Sequence, residues 1–320
     1  NKVPPALLMG NAVILKPASV NPLTLTRYVE LLVEAGVPAG IISVVHGSGS
    51  VVGKTLTSSK KVDMVSLTGS TAAGIDAAKN CADHCAHSSL ELGGNDAFIL
   101  CADGDMDLAI EETVWGRLYN TGQVCCASKR FLVENSVKDE FIKKMTDKIN
   151  SLKQGNPQDM STDIGCLVSE EAAIEVERQV NETIKAGATL VCGGKRNGAF
   201  YEPTILDNVT PDMEVAKDME IFGPVIPVIG FDDLDEAIEI ANKSIYGLSG
   251  SIITKDISKA IKVSEKMECG GFVINGASFF RSFEQPFGGW KYSGIGNEGI
   301  MTTLKEMSRT KTVILKNITK

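Results

Sequence analysis

The sequence predicts an α/β protein of two domains, and three observations carry that expectation. Over residues 1–92, apolar β-branched runs alternate with amphipathic helical patterns in a strand–helix–strand rhythm, which implies parallel sheet covered by helices. A second α/β pattern follows between Ala97 and Val273. At 320 residues, the chain is also too long for one typical core.

The first pattern places strands at 12–15, 41–45, 62–67 and 89–92, with helices at 23–35, 51–58 and 72–82 between them. The second places strands at 98–100, 130–133, 225–231 and 249–254, and helices at 106–119, 137–152, 170–186 and 234–242. Residues 311–316 alternate like a strand with no obvious mate nearby in sequence. A terminal strand of that kind often pairs across a subunit boundary, because unpaired edges are a liability. The expected ranges are 1–92 for a cofactor domain and 93–292 for a catalytic domain. Residues 293–308 are expected to return onto the first domain, and 309–320 to form an oligomerisation strand.

Composition narrows the function. A hydrophobic content of 43% with 22% charged residues is that of an ordinary soluble globular protein. The net charge of −8 and the lack of any basic cluster argue against a nucleic-acid partner. No signal-peptide pattern and no membrane-length apolar run occurs. Eight cysteines at irregular spacing do not make a disulfide framework, so reduced thiols and a cytoplasmic setting are expected. Asn1-Lys2-Val3-Pro4-Pro5 lacks an initiator Met and leads almost at once into a strand; the expectation is that N-terminal sequence is missing.

The chemistry is expected in Asn120-Thr121-Gly122-Gln123-Val124-Cys125-Cys126. Small polar residues there leave room for a ligand beside a thiol, and a thiolate is a strong nucleophile near neutral pH. The competing reading is an inert buried cysteine. In open parallel sheets ligands bind at the carboxyl ends of strands, and two such ends carry suitable groups. Lys16 follows the first strand. Gly69-Ser70-Thr71-Ala72-Ala73-Gly74 follows the third and opens a helix, where backbone N–H groups and hydroxyls favour phosphate. His46-Gly47-Ser48-Gly49-Ser50 reads as a structural turn. Cys81, His84, Cys85 and His87 lie close together but lack a separated second ligand pair, so no metal site is expected. A Cys–His hydrolase is disfavoured because all three histidines fall in the first half.

Six motifs, in order along almost the whole chain, resemble the aldehyde dehydrogenase superfamily. They are Gly10-Asn11 with Lys16-Pro17-Ala18-Ser19, Leu67-Thr68-Gly69-Ser70-Thr71, Glu91-Leu92-Gly93-Gly94, Asn120 to Cys125, Glu220-Ile221-Phe222-Gly223-Pro224-Val225, and Pro286-Phe287-Gly288-Gly289. Asn95-Asp96-Ala97-Phe98 and the run from Val114 to Gln123 look most like the succinate-semialdehyde dehydrogenase branch. The resemblance implies an N-terminally truncated, Rossmann-like cofactor domain, an α/β catalytic domain and a C-terminal oligomerisation strand. It also implies a homodimer or homotetramer.

The resemblance implies roles residue by residue. Cys125 is the nucleophile and Glu91 the general base. Lys16 binds the adenosine ribose, Gly69 and Ser70 lie at the pyrophosphate, and Glu220 binds the nicotinamide ribose with Phe222 packed nearby. Phe287 walls the substrate pocket. Cys125 thiolate adds to the aldehyde carbon, hydride leaves to NAD or NADP, and Glu91 activates the water that hydrolyses the thioester. Glu91 also favours hydrolysis over acyl transfer to coenzyme A.

Two departures qualify this. Ser19 stands where many NAD-specific members carry a ribose-binding glutamate. A serine does not repel a 2′-phosphate, so NADP is expected to be accepted or preferred. The family's Pro-Trp-Asn motif, whose asparagine is a second oxyanion donor, has no match. Loss of one such donor can cost about 10²–10³ in kcat, so the chain alone is expected to be feeble or inactive. The alternatives are an aldehyde dehydrogenase of other substrate range, or a catalytically impaired cofactor-binding relative. A carboxylate-bearing aldehyde such as succinate semialdehyde would want a cation, and Arg281 and Arg117 are the candidates, each against the reading of a solvated arginine.

Overall fold

The computed structural model describes residues 1–318. The chain divides into two compact units. One comprises Asn1–Glu91, Ser282–Phe287 and the segment from Ile295; the other comprises Leu92–Arg281 with Gly288–Gly294. These differ from the expected ranges at Leu92, Ser293 and Gly294, which join the second unit, and at Ser282–Phe287, which joins the first.

In the first unit, α1 (Val3–Leu8) precedes β1 (Val13–Leu15), and α2 (Pro22–Glu34) connects β1 to β2 (Ile42–Val44). The two strands pair in parallel, Val13 opposite Ile42. β3 (Met64–Thr68), α4 (Thr71–Ala82) and β4 (His87–Glu91) make a second βαβ unit, preceded by the short α3 (Lys54–Thr57). Thr68 pairs with Glu91 in its parallel ladder. Each helix starts where the sequence stops favouring a strand: Pro22 supplies a preset φ at the first helical position, and Ser70 caps α4 by accepting from Ala73 N–H at 3.3 Å. A small core of Val3, Val29 and Ile42 lies under α1 and α2.

The second unit is built on a seven-stranded sheet. In chain order its strands are β5 (Asp96–Leu100), β6 (Ser128–Glu134), β7 (Thr189–Cys192), β8 (Thr204–Asp207), β9 (Val225–Phe231), β10 (Ser249–Ile253) and β11 (Gly271–Ile274). Their spatial order is β11-β10-β5-β6-β9-β8-β7, parallel throughout except for β7 at the edge. β5 and β10 have every residue buried, as expected of parallel strands covered on both faces. Helices α5 (Met106–Thr113), α6 (Asn135–Asn150), α7 (Glu170–Lys185), α8 (Leu234–Asn242) and α9 (Ile257–Lys266) cover it. Two clusters form the core on either face. One gathers Ile99, Leu132, Val176, Ile229 and Val263; the other gathers Phe98, Phe131 and Phe141, with rings 5.4 and 6.3 Å apart.

Three expectations are corrected. The helix expected at 106–119 is α-helical only to Thr113; a π-helical turn, Val114–Leu118, and a 3₁₀ turn, Tyr119–Gly122, follow. The strands β7, β8 and β11 and the strongly amphipathic helix α9 were not expected. Residues 308–316 form neither helix nor strand, because that segment makes no ladder among the described residues; Val313, Ile314 and Leu315 are exposed, and residues 319–320 of the expected strand lie outside the described residues. Among the described residues no helix is long and apolar enough to cross a membrane.

Candidate active site

In the second unit the candidate residues gather where three neighbouring parallel strands begin. Gly93-Gly94-Asn95 leads into β5, Cys125-Cys126-Ala127 into β6, and Glu220 to Pro224 into β9. The side of the sheet in use is the amino end. The turn before Cys125 is strained: Asn120, Thr121 and Gly122 have φ of 49°, 57° and 78°. A β-branched residue at positive φ is an outlier, and such strain collects at functional sites. A widened π turn beforehand is a further mark of that kind.

Gly122 is needed for contact as well as for its φ. A Cβ there would stand 2.3 Å from the Gly223 carbonyl oxygen, so the Cys125 loop and the Glu220 loop meet backbone to backbone. Gly122→Ala is expected to push these loops apart. A displacement of about 1 Å at a nucleophile can cost about 10²-fold in rate, and a loss of that size in kcat is the expected result of steady-state assay of the variant.

Cys125 is partly accessible, whereas Cys126 is 7% exposed. The thiol of Cys125 is depressed to about 6. The main cause is the hydrogen bond from the Cys126 side chain; burial opposes it, and the Lys129 ammonium and the Cys126 backbone N–H add to it. Cys126 is pushed up, first by donating to Cys125 and then by burial, so it remains a thiol. The loop is fixed by Ser278 Oγ donating to the Cys126 carbonyl at 3.0 Å and by Val168 N–H donating to Gln123 Oε1 at 2.8 Å.

Lys129, 1% exposed, donates to the carbonyls of Val124 at 3.0 Å and Cys125 at 2.5 Å, and lies 3.2 Å from Glu220 Oε1. Its ammonium stands 5.1 Å from the centre of the Phe222 ring. Glu220 Oε1 also accepts from Gly94 N–H at 2.8 Å, and a Cβ on Gly93 would fall 2.4 Å from Glu220 Oε2. Gly93 therefore lets the carboxylate lie against bare backbone. Asp96, fully buried, accepts from Ser249 N–H at 3.0 Å; burial pushes its carboxyl up to about 8, so it is protonated at neutral pH.

Arg117 is corrected as a substrate-binding candidate and as a solvated one. It is completely buried, and its guanidinium donates to the carbonyls of Val225 at 2.5 Å and Ile221 at 2.9 Å. It braces the Glu220 loop from behind, since a buried guanidinium must take its acceptors from the nearest backbone. Burial lowers it to about 9, which leaves it charged at neutral pH. Arg281, the other candidate, is exposed in the second unit.

In the first unit the cofactor candidates lie at the carboxyl ends of β1, β3 and β4. Lys16 follows β1, with Nζ donating to the carbonyls of Pro17 at 2.8 Å and Gly47 at 3.3 Å. Ser19 is exposed two residues beyond Pro17. Gly69 and Ser70 follow β3, with Gly69 N–H donating to the Glu91 carbonyl at 3.1 Å and Ser70 capping α4. Glu91, buried, ends β4. An ammonium and an exposed hydroxyl after β1 of one sheet, and the N-terminus of a twelve-residue helix after β3 of the other, are groups suited to a nucleotide's ribose and pyrophosphate. Phe287, buried in this unit, exchanges backbone hydrogen bonds with Glu298. Among the described residues no group of three or more His, Cys, Asp or Glu side chains is placed to hold a metal ion.

Lys129 and Arg130 escaped the reading of the sequence, where they look like charges at the edge of a strand. Their only signal was position: two consecutive cations at the start of an apolar run.

A model of the aldehyde dehydrogenase family matches residues 1–313. Lactaldehyde dehydrogenase of Methanococcus aeolicus is 39% identical over 319 residues, covering 98% of this chain and 68% of its own. 3-Sulfolactaldehyde dehydrogenase of Priestia megaterium is 39% identical over 315 residues, covering 98% and 65%. Among solved structures, glyceraldehyde-3-phosphate dehydrogenase GapN of Methanocaldococcus jannaschii, complexed with NADP, has a TM-score of 0.94 at 39% identity, over 99% of this chain and 69% of that one. Betaine aldehyde dehydrogenase of Staphylococcus aureus, in complex with NAD+, has a TM-score of 0.92 at 38% identity, over 100% and 66%. The chain thus spans about two thirds of the length of these relatives.

Proposed function

The chain belongs to the aldehyde dehydrogenase family, and from that premise we propose that it oxidises an aldehyde to the carboxylic acid with NAD(P)+ through covalent attachment to Cys125. The observation that carries the reading is a thiol held near 6 beside a buried lysine and a backbone-seated carboxylate. At neutral pH Cys125 is mainly thiolate and adds to the aldehyde carbon, forming a C–S bond and an oxyanion. When bound, the nicotinamide supplies the hydride acceptor, which no side chain can provide. Lys16, Ser19, Gly69 and Ser70 are assigned to the adenosine ribose and pyrophosphate, and Glu220 to the nicotinamide ribose beside Phe222. Glu91 is assigned to deprotonate the water that cleaves the thioester, releasing the acid and restoring the thiolate.

For substrate we propose a 2-hydroxyaldehyde. Three of the relatives' names carry one: lactaldehyde, 3-sulfolactaldehyde and glyceraldehyde-3-phosphate. Succinate semialdehyde is the second reading. It keeps Arg281 as a cation for its distant carboxylate, but Arg117 is committed to backbone. Phe287 is assigned to the pocket wall. The exposed residues Val313, Ile314 and Leu315 are assigned to contact with a second copy of the chain, since an apolar edge of that kind is a liability when unpaired.

Initial rates with lactaldehyde, 3-sulfolactaldehyde, glyceraldehyde-3-phosphate, betaine aldehyde and succinate semialdehyde test this, each with NAD+ and NADP+. A 2-hydroxyaldehyde is expected to exceed succinate semialdehyde in kcat/KM by about tenfold or more, the scale of a few well-placed pocket contacts. The reverse order would select the second reading. A kcat/KM with NAD+ equal to or above that with NADP+ would end the NADP preference assigned to Ser19.

A further inference from the structure

Lys129 follows Cys125 by four residues and is the second residue of β6. An ammonium that is 1% exposed is costly to bury unless its donors are used. A lysine has three N–H donors, and this one has three acceptors: the carbonyls of Val124 and Cys125 and Glu220 Oε1. The head group also stands 5.1 Å from the centre of the Phe222 ring. Glu220 Oε1 in turn takes Gly94 N–H, so a single cation joins the segments entering β5, β6 and β9. Both of those contacts fall on Oε1, while Oε2 lies against Gly93.

We propose that Lys129 is a positioning residue that locks the Cys125 carbonyl to the Glu220 carboxylate, setting the reactivity of the thiol and the grip on the cofactor ribose together. The second half rests on the role proposed above for Glu220; the first does not. The ionisable groups facing Cys125 are Cys126, Lys129, Glu220 and Asp96. Cys126 and Lys129 favour the thiolate and Glu220 opposes it; Asp96 opposes it only once ionised. The cation and the carboxylate therefore pull Cys125 in opposite directions, and their removal must shift it in opposite directions.

The test is the rate of iodoacetamide alkylation at Cys125, read by peptide mass spectrometry across pH, in wild type, K129M, K129R and E220Q. In K129M the midpoint is expected to rise by about one pH unit or more, the scale of losing a nearby opposite charge. In K129R it is expected to return towards wild type, and in E220Q to fall. Folded K129M with an unchanged midpoint, or the two charge removals shifting the same way, would overturn the proposal. Where K129M fails to fold, E220Q decides alone: a fall supports it, and no change or a rise overturns it. Alkylation needs neither aldehyde nor cofactor, so failure of the aldehyde-oxidation reading leaves this test intact. The cofactor half is read separately as the KM for NAD(P)+, expected to rise about tenfold in K129M and by more than kcat falls; an unchanged KM overturns that half.

Discussion

Replacing Cys125 with Ser is expected to lower kcat by about 10⁴-fold or more, the scale seen when a covalent nucleophile is removed from an enzyme. A hydroxyl at that position has no means of ionising near neutral pH, whereas the thiol is held near 6. The neighbouring Cys126 gives the contrast. It is buried and remains a thiol, so C126A is expected to keep turnover within about tenfold and to act through Cys125 instead. Loss of its hydrogen bond removes the largest cause of the depressed thiol, so the acid limb of the rate profile should move to higher pH. The sign follows from the direction of the shift: the thiolate is present above about 6 and is lost as pH falls through it. Rate profiles of the two variants between pH 5 and 9 check both statements.

The second large effect concerns stability. Arg130 is 3% exposed and spreads its guanidinium over four backbone carbonyls: Asn95 at 2.6 Å, Ala216 at 3.0 Å, Ile240 at 3.1 Å and Ala241 at 2.9 Å. Burial lowers it to about 10, which still leaves it charged at neutral pH. It ties the start of β5 to the end of α8 and to the segment before Glu220. Arg130→Met keeps the bulk but strands buried acceptors. Hydrogen bonds to a charged group are each worth about 1.5–3 kcal/mol, so a loss of about 4 kcal/mol or more is expected in urea unfolding. That is a large share of the roughly 5–15 kcal/mol available to a folded domain. Lysine cannot reproduce the fork and should recover only part of it.

The sequence was most legible where one physical signal dominated. Val225–Phe231 and Leu234–Asn242 were expected with the bounds they have, because an unbroken apolar run and a clean helical period each admit one reading. The segment before Cys125 was misread at its end. Periodicity continues to Tyr119, but the backbone widens at Val114 without a compositional trace, and the left-handed turn at Asn120 is marked only by Asn120 and Gly122, residue types that tolerate positive φ. β7 and β8 are short, with an antiparallel edge pairing that alternation did not reveal. Among the candidates, Cys125 stands out by its small, polar surroundings, and Glu91 and Glu220 through the ordered motifs that carry the family resemblance. The roles of Lys129, Arg117 and Arg130 were not legible. A cation's partners here are backbone carbonyls far along the chain, and a sequence does not mark which carbonyls will be unsatisfied.

The central claim is that the aldehyde's acyl group passes through Cys125 and is released by Glu91. It is tested most directly by mixing the E91Q variant with NAD(P)+ and its preferred aldehyde, quenching in acid and mapping the peptides by mass spectrometry. The expected result is a thioester on Cys125 that accumulates in E91Q and not in wild type, with NAD(P)H formed in a single stoichiometric burst. An acyl group on Cys126, or full turnover by E91Q with no adduct on Cys125, would contradict the account.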